Sequence, residues 1–179
     1  MKRLRQTKDA LPQYNIGEYT YGVPLVVSSR GLGATLVVGK FCSFAEEVTM
    51  LLSVEHRTDW VTTYPFNQFF WETRHILGHP SSKGDIIIGN DVWVGYRTTI
   101  LSGVRIDSGA VIGASSVVAS DVGAYEVWAG NPARKIRDRF SDHDKLALLK
   151  IAWWNWPIEK ILDHAELLCS NQLEELWKV

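Results

Sequence analysis

The chain has 179 residues, with 19 Lys and Arg against 20 Asp and Glu for a net charge of −1, a balance that argues against nucleic acid or an anionic membrane as its main partner. Its two cysteines, Cys42 and Cys169, offer neither a metal-ligand spacing nor a disulfide framework, so a cytoplasmic setting is expected. The basic residues Lys2, Arg3, Arg5 and Lys8 precede no apolar core, which argues against a secretory signal, and no apolar run reaches membrane-spanning length.

Residues 1–15 read as an irregular arm, basic and then polar around Pro12. Ile16-Gly17-Glu18 is a first, imperfect six-residue unit, and Gly22, Pro24, Gly31 and Gly33 punctuate the next stretch of chain. A six-residue phase then sets in at Leu32, Val38, Phe44 and Met50. Residues 51–85 interrupt it with Glu55, His56, Asp59, His75, His79 and the aromatics Trp60, Tyr64, Phe66, Phe69, Phe70 and Trp71. Insertions into a repeat emerge as loops on one face, often the binding face, and this many aromatics are costly to leave in water.

The phase returns at Ile88 and runs without a slip through Val94, Ile100, Ile106, Ile112 and Val118. The residues two before these, Ile86, Val92, Thr98, Val104, Ala110 and Ser116, are apolar or small. A period of six is neither helical nor a simple strand alternation; it marks a repeat architecture. Each unit is expected to be a short strand with its aliphatic residue pointing inward. A corner comes after it, as at Gly89-Asn90, Gly95-Tyr96 and Gly113-Ala114. Three units make one triangular turn, so Tyr96 and Ala114 are expected one coil apart on the same edge. No proline interrupts residues 86–123, as a hydrogen-bonded parallel stack requires.

After residue 123, Ala129-Gly130-Asn131-Pro132 leaves the repeat, and Arg134, Lys135, Arg137 and Arg139 form a basic cluster. Ser141 with Asp144 makes a capping-box pattern that opens a helix through Leu146, Leu149 and Ala152. Trp153, Trp154 and Trp156 precede Pro157, a good first helical residue. Ile158, Ile161, Leu162, Ala165 and Leu168 mark the apolar face of a second helix, and Leu173, Leu176 and Trp177 close with a short third. The fold expected is an all-β solenoid with an α-helical tail: an arm at 1–15, a solenoid at 16–140 with its loop at 51–85, and a helical cap at 141–179.

These units, together with HRTDWVTTYPF (56–66), KGDIIIGNDVWVG (83–95), GNPARKIRDRF (130–140) and WWNWP (153–157), resemble the xenobiotic acetyltransferases, a hexapeptide-repeat family that includes streptogramin and chloramphenicol acetyltransferases. The likeness spans residues 16–168, and several motifs in the right order are far more specific than one. It implies a left-handed parallel β-helix, a hand that the general rule for crossovers would not supply. It also implies a homotrimer with active sites between adjacent subunits, and acetyl-CoA as donor.

Carried onto this sequence, the resemblance makes His56 the general base, a task suited to an imidazole; Glu55 and Asp59 are candidates to orient it by their proximity in the sequence alone. Trp93 would wall the thioester end of the cleft, and CoA would run past Tyr96, Ala114, Ala119 and Ser120. Many relatives carry Thr-Lys where this chain has Ala119-Ser120, so one phosphate contact is missing or replaced. Arg134 and Arg137 would meet the phosphate end, where guanidinium forks suit phosphate oxygens. Asp59, Trp60, Tyr64 and Phe66 would face the acceptor. The acceptor expected is a hydroxyl of a glycan or nucleotide-linked sugar; chloramphenicol, streptogramin A and the amine of an amino sugar are the alternatives. A zinc site of His56, His75 and His79, as in β-helix carbonic anhydrases, is the reading from a different class. Those histidines sit in one loop and not on successive coils, so no metal is expected.

Overall fold

The structure, a computed structural model, describes residues 6–29 and 33–179. The basic residues Lys2, Arg3 and Arg5, Gly31, and the repeat position Leu32 lie outside the described residues. Where an irregular arm was expected, Thr7–Ala10 form a short helix, α1. It is anchored because the buried Thr7 hydroxyl donates to the Gly22 carbonyl at 2.6 Å.

The strands are short: β1 (Asn15–Ile16), β2 (Leu25–Ser28), β3 (Leu36–Val38), β4 (Ser43–Phe44), β5 (Thr49–Ser53), β6 (Ile86–Ile88) and β7 (Trp93–Val94). After these come β8 (Thr99–Ile100), β9 (Arg105–Ile106), β10 (Val111–Ile112), β11 (Val117–Val118), β12 (Glu126–Gly130) and β13 (Ala133–Asp138). They form three sheets, ordered β1-β3-β6-β9, β4-β7-β10-β12-β13 and β2-β5-β8-β11. All pairings are parallel except the closing β12–β13 hairpin. From β3 to β11, consecutive strands visit the three sheets in turn. Ile88 pairs with Ile106, Val94 with Ile112 and Ile100 with Val118, so the chain returns to each sheet after one three-unit turn.

The period explains the core. Val38, Phe44, Met50, Ile88, Val94, Ile100, Ile106, Ile112 and Val118 all point inward and are at most 3% exposed. The residues two before them close the same interior, and Thr98 and Ser116 there satisfy their hydroxyls on the Gly113 carbonyl at 3.2 and 2.7 Å. The bend itself falls one residue later than the pairs read from sequence. Phe41, Glu47, Asp91, Arg97 and Ser115 take left-handed backbone, with φ between 55 and 60°. The glycines before them serve another purpose. A Cβ on Gly89 would stand 2.5 Å from the Ser108 nitrogen, on the next coil, so glycine is needed there for close approach and not for its dihedral freedom.

Beyond β13 the chain forms α3 (Asp142–Ile151), α4 (Ile158–Asp163), α5 (Ala165–Leu168) and α6 (Leu173–Leu176), as well as the short α2 (Phe66–Phe69) within the loop. Ser141 caps α3: its hydroxyl accepts the Asp144 N–H at 3.2 Å and donates to the Asp144 carboxylate at 2.7 Å. The buried face of α3 is not the one expected. Leu148 is 5% exposed, whereas Leu146 is 70% exposed, because the tail docks through its tryptophans. Trp153 packs on the corner residue Phe41 at 4.9 Å, and Trp154 and Leu148 share a second core with Tyr125. The second expected helix breaks at His164 into α4 and α5, which leaves Ile161 buried and Leu162 in solvent. Among the described residues, no helix is long and apolar enough to cross a membrane.

Candidate active site

The loop leaves the stack after β5 and returns before β6. Its neck is closed by an antiparallel bridge in which Glu55 and Ser81 exchange backbone hydrogen bonds of 3.2 and 2.8 Å. Ser102, on the neighbouring coil, reinforces the neck: its hydroxyl donates to Glu55 Oε1 and accepts the Lys83 N–H at 3.0 Å. His56 therefore stands on a fixed base, at the wall of a cleft of about 450 Å³ that Arg57, Asp59, Ser82 and Lys83 also line.

Neither carboxylate considered for orienting His56 does so. Glu55 is taken by Ser102. Asp59 forms a two-pronged pair with the Arg57 guanidinium, whose hydrogen bonds hold its carboxyl down at about 2. His56 Nδ1 instead lies 2.8 Å from the Thr63 carbonyl oxygen. A carbonyl only accepts, so Nδ1 carries the hydrogen and the lone pair of neutral His56 sits on Nε2. A backbone carbonyl leaves no mark in a sequence, and Thr63 could not have been found there.

Trp60 lies 6.3 Å from the His79 ring and under the Arg57 guanidinium at 5.0 Å. Tyr64 and Phe66 meet edge-on at 4.9 Å in a cluster with Phe69 and Phe70. With Trp71 this cluster stays 44–74% exposed: the aromatics cover one another but do not fold down as core.

The remaining residues lie elsewhere on the stack. Trp93 projects from β7 into solvent, between Ser43 and Val111 on the strands either side. Tyr96 and Ala114 do share an edge one coil apart, the Ser115 N–H meeting the Tyr96 carbonyl at 2.7 Å. Ala119 and Ser120 are exposed on the edge that also carries the loop neck, one coil beyond Leu101 and Ser102. Arg134 and Arg137 are exposed on β13, and their guanidinium hydrogen bonds go to the Ala133 and Asp138 carbonyl oxygens. The other two members of the basic cluster are engaged. Lys135 pairs with Glu126 and Asp138 at 2.8 and 2.9 Å, and Arg139 lies 3.7 Å from Asp91, whose carboxyl burial pushes up. Among the described residues, only Arg134 and Arg137 of this cluster have no carboxylate partner. Within one chain the cleft thus joins His56 to Asp59, whereas Trp93, Arg134 and Arg137 occupy a different sheet.

Among the described residues there is also no group of three or more His, Cys, Asp and Glu that could hold a metal ion. His56 and His79 meet, but His75 is exposed and not with them.

The chain is similar to proteins of known activity. Residues 85–120 match the family described as bacterial transferase hexapeptide (six repeats). A probable macrolide acetyltransferase of Lysinibacillus sphaericus is 47% identical over 150 residues, covering 81% of this chain and 83% of that one. A chloramphenicol acetyltransferase of Escherichia coli is 38% identical, covering 80% and 70%. The virginiamycin A acetyltransferase of Staphylococcus aureus is 36% identical, covering 98% and 86%.

Proposed function

The chain belongs to the hexapeptide-repeat xenobiotic acetyltransferases, and from that membership we propose that it moves an acetyl group from acetyl-CoA to a hydroxyl of a small molecule, with His56 as general base. The observation that carries the reading is the Nδ1–Thr63 hydrogen bond, which leaves the Nε2 lone pair unused at a cleft. As the acceptor oxygen attacks the thioester carbon, Nε2 takes its proton. The tetrahedral centre then expels the sulfur, which leaves as the CoA thiol after receiving that proton from the imidazolium.

Transfer is direct, with no acyl-enzyme. Cys42 is fully buried with its thiol donating to the Gly89 carbonyl, and burial pushes it up to about 12, the opposite of an activated nucleophile. Cys169 is exposed, but it lies in the helical tail away from the cleft.

Acetyl-CoA is the donor that fits the unpaired cations. Arg134 and Arg137 would hold its phosphate end, Tyr96, Ala114, Ala119 and Ser120 would border the pantetheine along the coil edges, and Trp93 would wall the thioester. In a single chain Ala119 and Ser120 share the loop-neck edge with His56, whereas Trp93, Arg134 and Arg137 belong to a different sheet. A homotrimer of left-handed β-helices, in which the loop edge of one subunit meets the Trp93 face of the next, would complete the site. Asp59, Trp60, Tyr64 and Phe66 would then face the acceptor.

The three relatives covering most of this chain favour an antibiotic hydroxyl as acceptor. The exposed aromatic cluster favours a second reading, a sugar hydroxyl presented with an apolar ring face. A thiol-release assay with acetyl-CoA across a macrolide, chloramphenicol, a streptogramin A and a panel of sugars tests both. Turnover of at least one is expected; no thiol release with any of them would sink the proposed acceptors.

A further inference from the structure

The loop that carries His56 folds back so that a second imidazole meets it. His79 is 5% exposed, and its ring meets that of His56 edge-on, with centroids 4.6 Å apart and planes at 86°. Both rings turn a nitrogen to the same oxygen: His56 Nδ1 at 2.8 Å and His79 Nε2 at 3.3 Å from the Thr63 carbonyl. Since the carbonyl has two lone pairs and no hydrogen, each nitrogen donates to it. His79 is itself clamped, its backbone carbonyl accepting from Asn67 Nδ2 at 2.8 Å and Gln68 Nε2 at 3.2 Å. Its remaining nitrogen, Nδ1, is buried with no hydrogen-bond partner among the described residues.

Burying an imidazole with one nitrogen unmatched is unfavourable, and an apolar residue of similar size would fill the space without that penalty. What the imidazole adds over such a residue is the N–H it presents to Thr63. That N–H bears on the one group whose position decides the tautomer of His56.

We propose that His79 is a positioning residue for acetyl transfer: its Nε2–H holds the Thr63 carbonyl in place, and that carbonyl fixes both the ring direction and the Nδ1–H tautomer of His56. The proposal rests on His56 being the base. Without the brace the Thr63 carbonyl is free to swing, and His56 drifts toward the Nε2–H tautomer that histidine prefers in water, with its lone pair on the wrong nitrogen. The loss falls on the chemical step, and donor binding is untouched.

Two variants separate the N–H from the ring. His79→Gln keeps a donor on a side chain of similar reach, and His79→Phe keeps a ring of similar size and removes the donor. The measurements are kcat, KM for acetyl-CoA and the thermal unfolding midpoint, with the ring nitrogen chemical shifts of His56 and His79 as a readout independent of turnover. His79→Phe should lower kcat about ten- to a hundredfold, the usual cost of a small misplacement, at unchanged KM, and should shift His56 toward Nε2–H. His79→Gln should recover most of kcat and the Nδ1–H signature. Equal kcat in the two variants, or full retention of the Nδ1–H tautomer in His79→Phe, overturns the proposal. So does a wild-type spectrum placing the proton on His56 Nε2 or on His79 Nδ1, a test that needs no variant to fold. If instead the tautomers are as proposed while His56→Ala turns over normally, it is the base assignment that fails.

Discussion

At the scale of the residue, His56 and Cys42 show how position decides whether a reactive group is used. His56 is exposed and bonded only through Nδ1. Replacing it with alanine should leave the thermal midpoint near that of the wild type while lowering kcat about a hundred- to ten-thousandfold, the usual worth of a general base. Steady-state kinetics beside a melting curve checks this, and near-normal turnover would refute the assignment. Cys42 sits at the other extreme. The folded chain keeps its thiol proton up to about 12 against a reference of 9.0, chiefly because burial disfavours the thiolate. In that window the folded state binds more proton than the unfolded one, so stability falls as pH rises and is unaffected below it. The slope from this one group approaches about 1.4 kcal/mol per pH unit. Burial raises Tyr125 from its own reference of 10.0 as well, so the two are best separated between pH 9.0 and 10.0. Urea unfolding there should show a downward slope in the wild type that Cys42→Ala lacks.

At the scale of the element, the coil is held by the approach of one turn to the next. The Gly89 corner lies against Ser108, whose hydroxyl accepts the Asn90 N–H at 2.9 Å. A methyl at Gly89 meets the backbone of Ser108 as well as its hydroxyl, and that backbone cannot turn aside. Gly89→Ala should therefore force the coils apart and cost about 1–3 kcal/mol, the range for overpacking, read as a lowered urea midpoint. An unchanged midpoint would mean that the coils yield more easily than their hydrogen bonds suggest. The hexads themselves were legible because each one repeats the same local instruction, an aliphatic residue inward and a bend after it. The loop was legible only in outline. Its aromatics could be counted, but whether they would face the core, one another or solvent depends on where its two ends attach.

At the scale of the whole molecule, the proposed site is incomplete in one chain, because His56 and the Trp93 face point in different directions. A homotrimer should appear in light scattering at about three times the 20.2 kDa of the chain, with separated subunits inactive; a fully active monomer would contradict the proposed assembly. The donor arginines act at this scale too. Changing Arg134 and Arg137 together to alanine should raise KM for acetyl-CoA with little change in kcat, since contacts remote from the reacting atoms act alike in ground and transition state. An unchanged KM would put the phosphates elsewhere.

The sequence alone determined the period, the inward residues from Val38 to Val118, the place of the loop, and the positions at which to look for a base and for phosphate-binding cations. The period, the inward residues and the place where they are interrupted are carried by side-chain type at a regular spacing, which burial in a stack requires wherever it occurs, whereas the base and cation positions came from the family resemblance. Tertiary structure alone decided that α3 would bury Leu148 and expose Leu146, since that choice depends on where the tryptophans find the Phe41 corner. It also decided that Arg57 would take Asp59, that Ser102 would take Glu55, and that the Thr63 carbonyl would receive both His56 and His79. Those contacts depend on how the loop folds, whether they join neighbours such as Arg57 and Asp59 or the distant pair Glu55 and Ser102, and the central one is made by a backbone oxygen that every residue possesses. Only the path of the folded loop selects which of those oxygens lies beneath the imidazole.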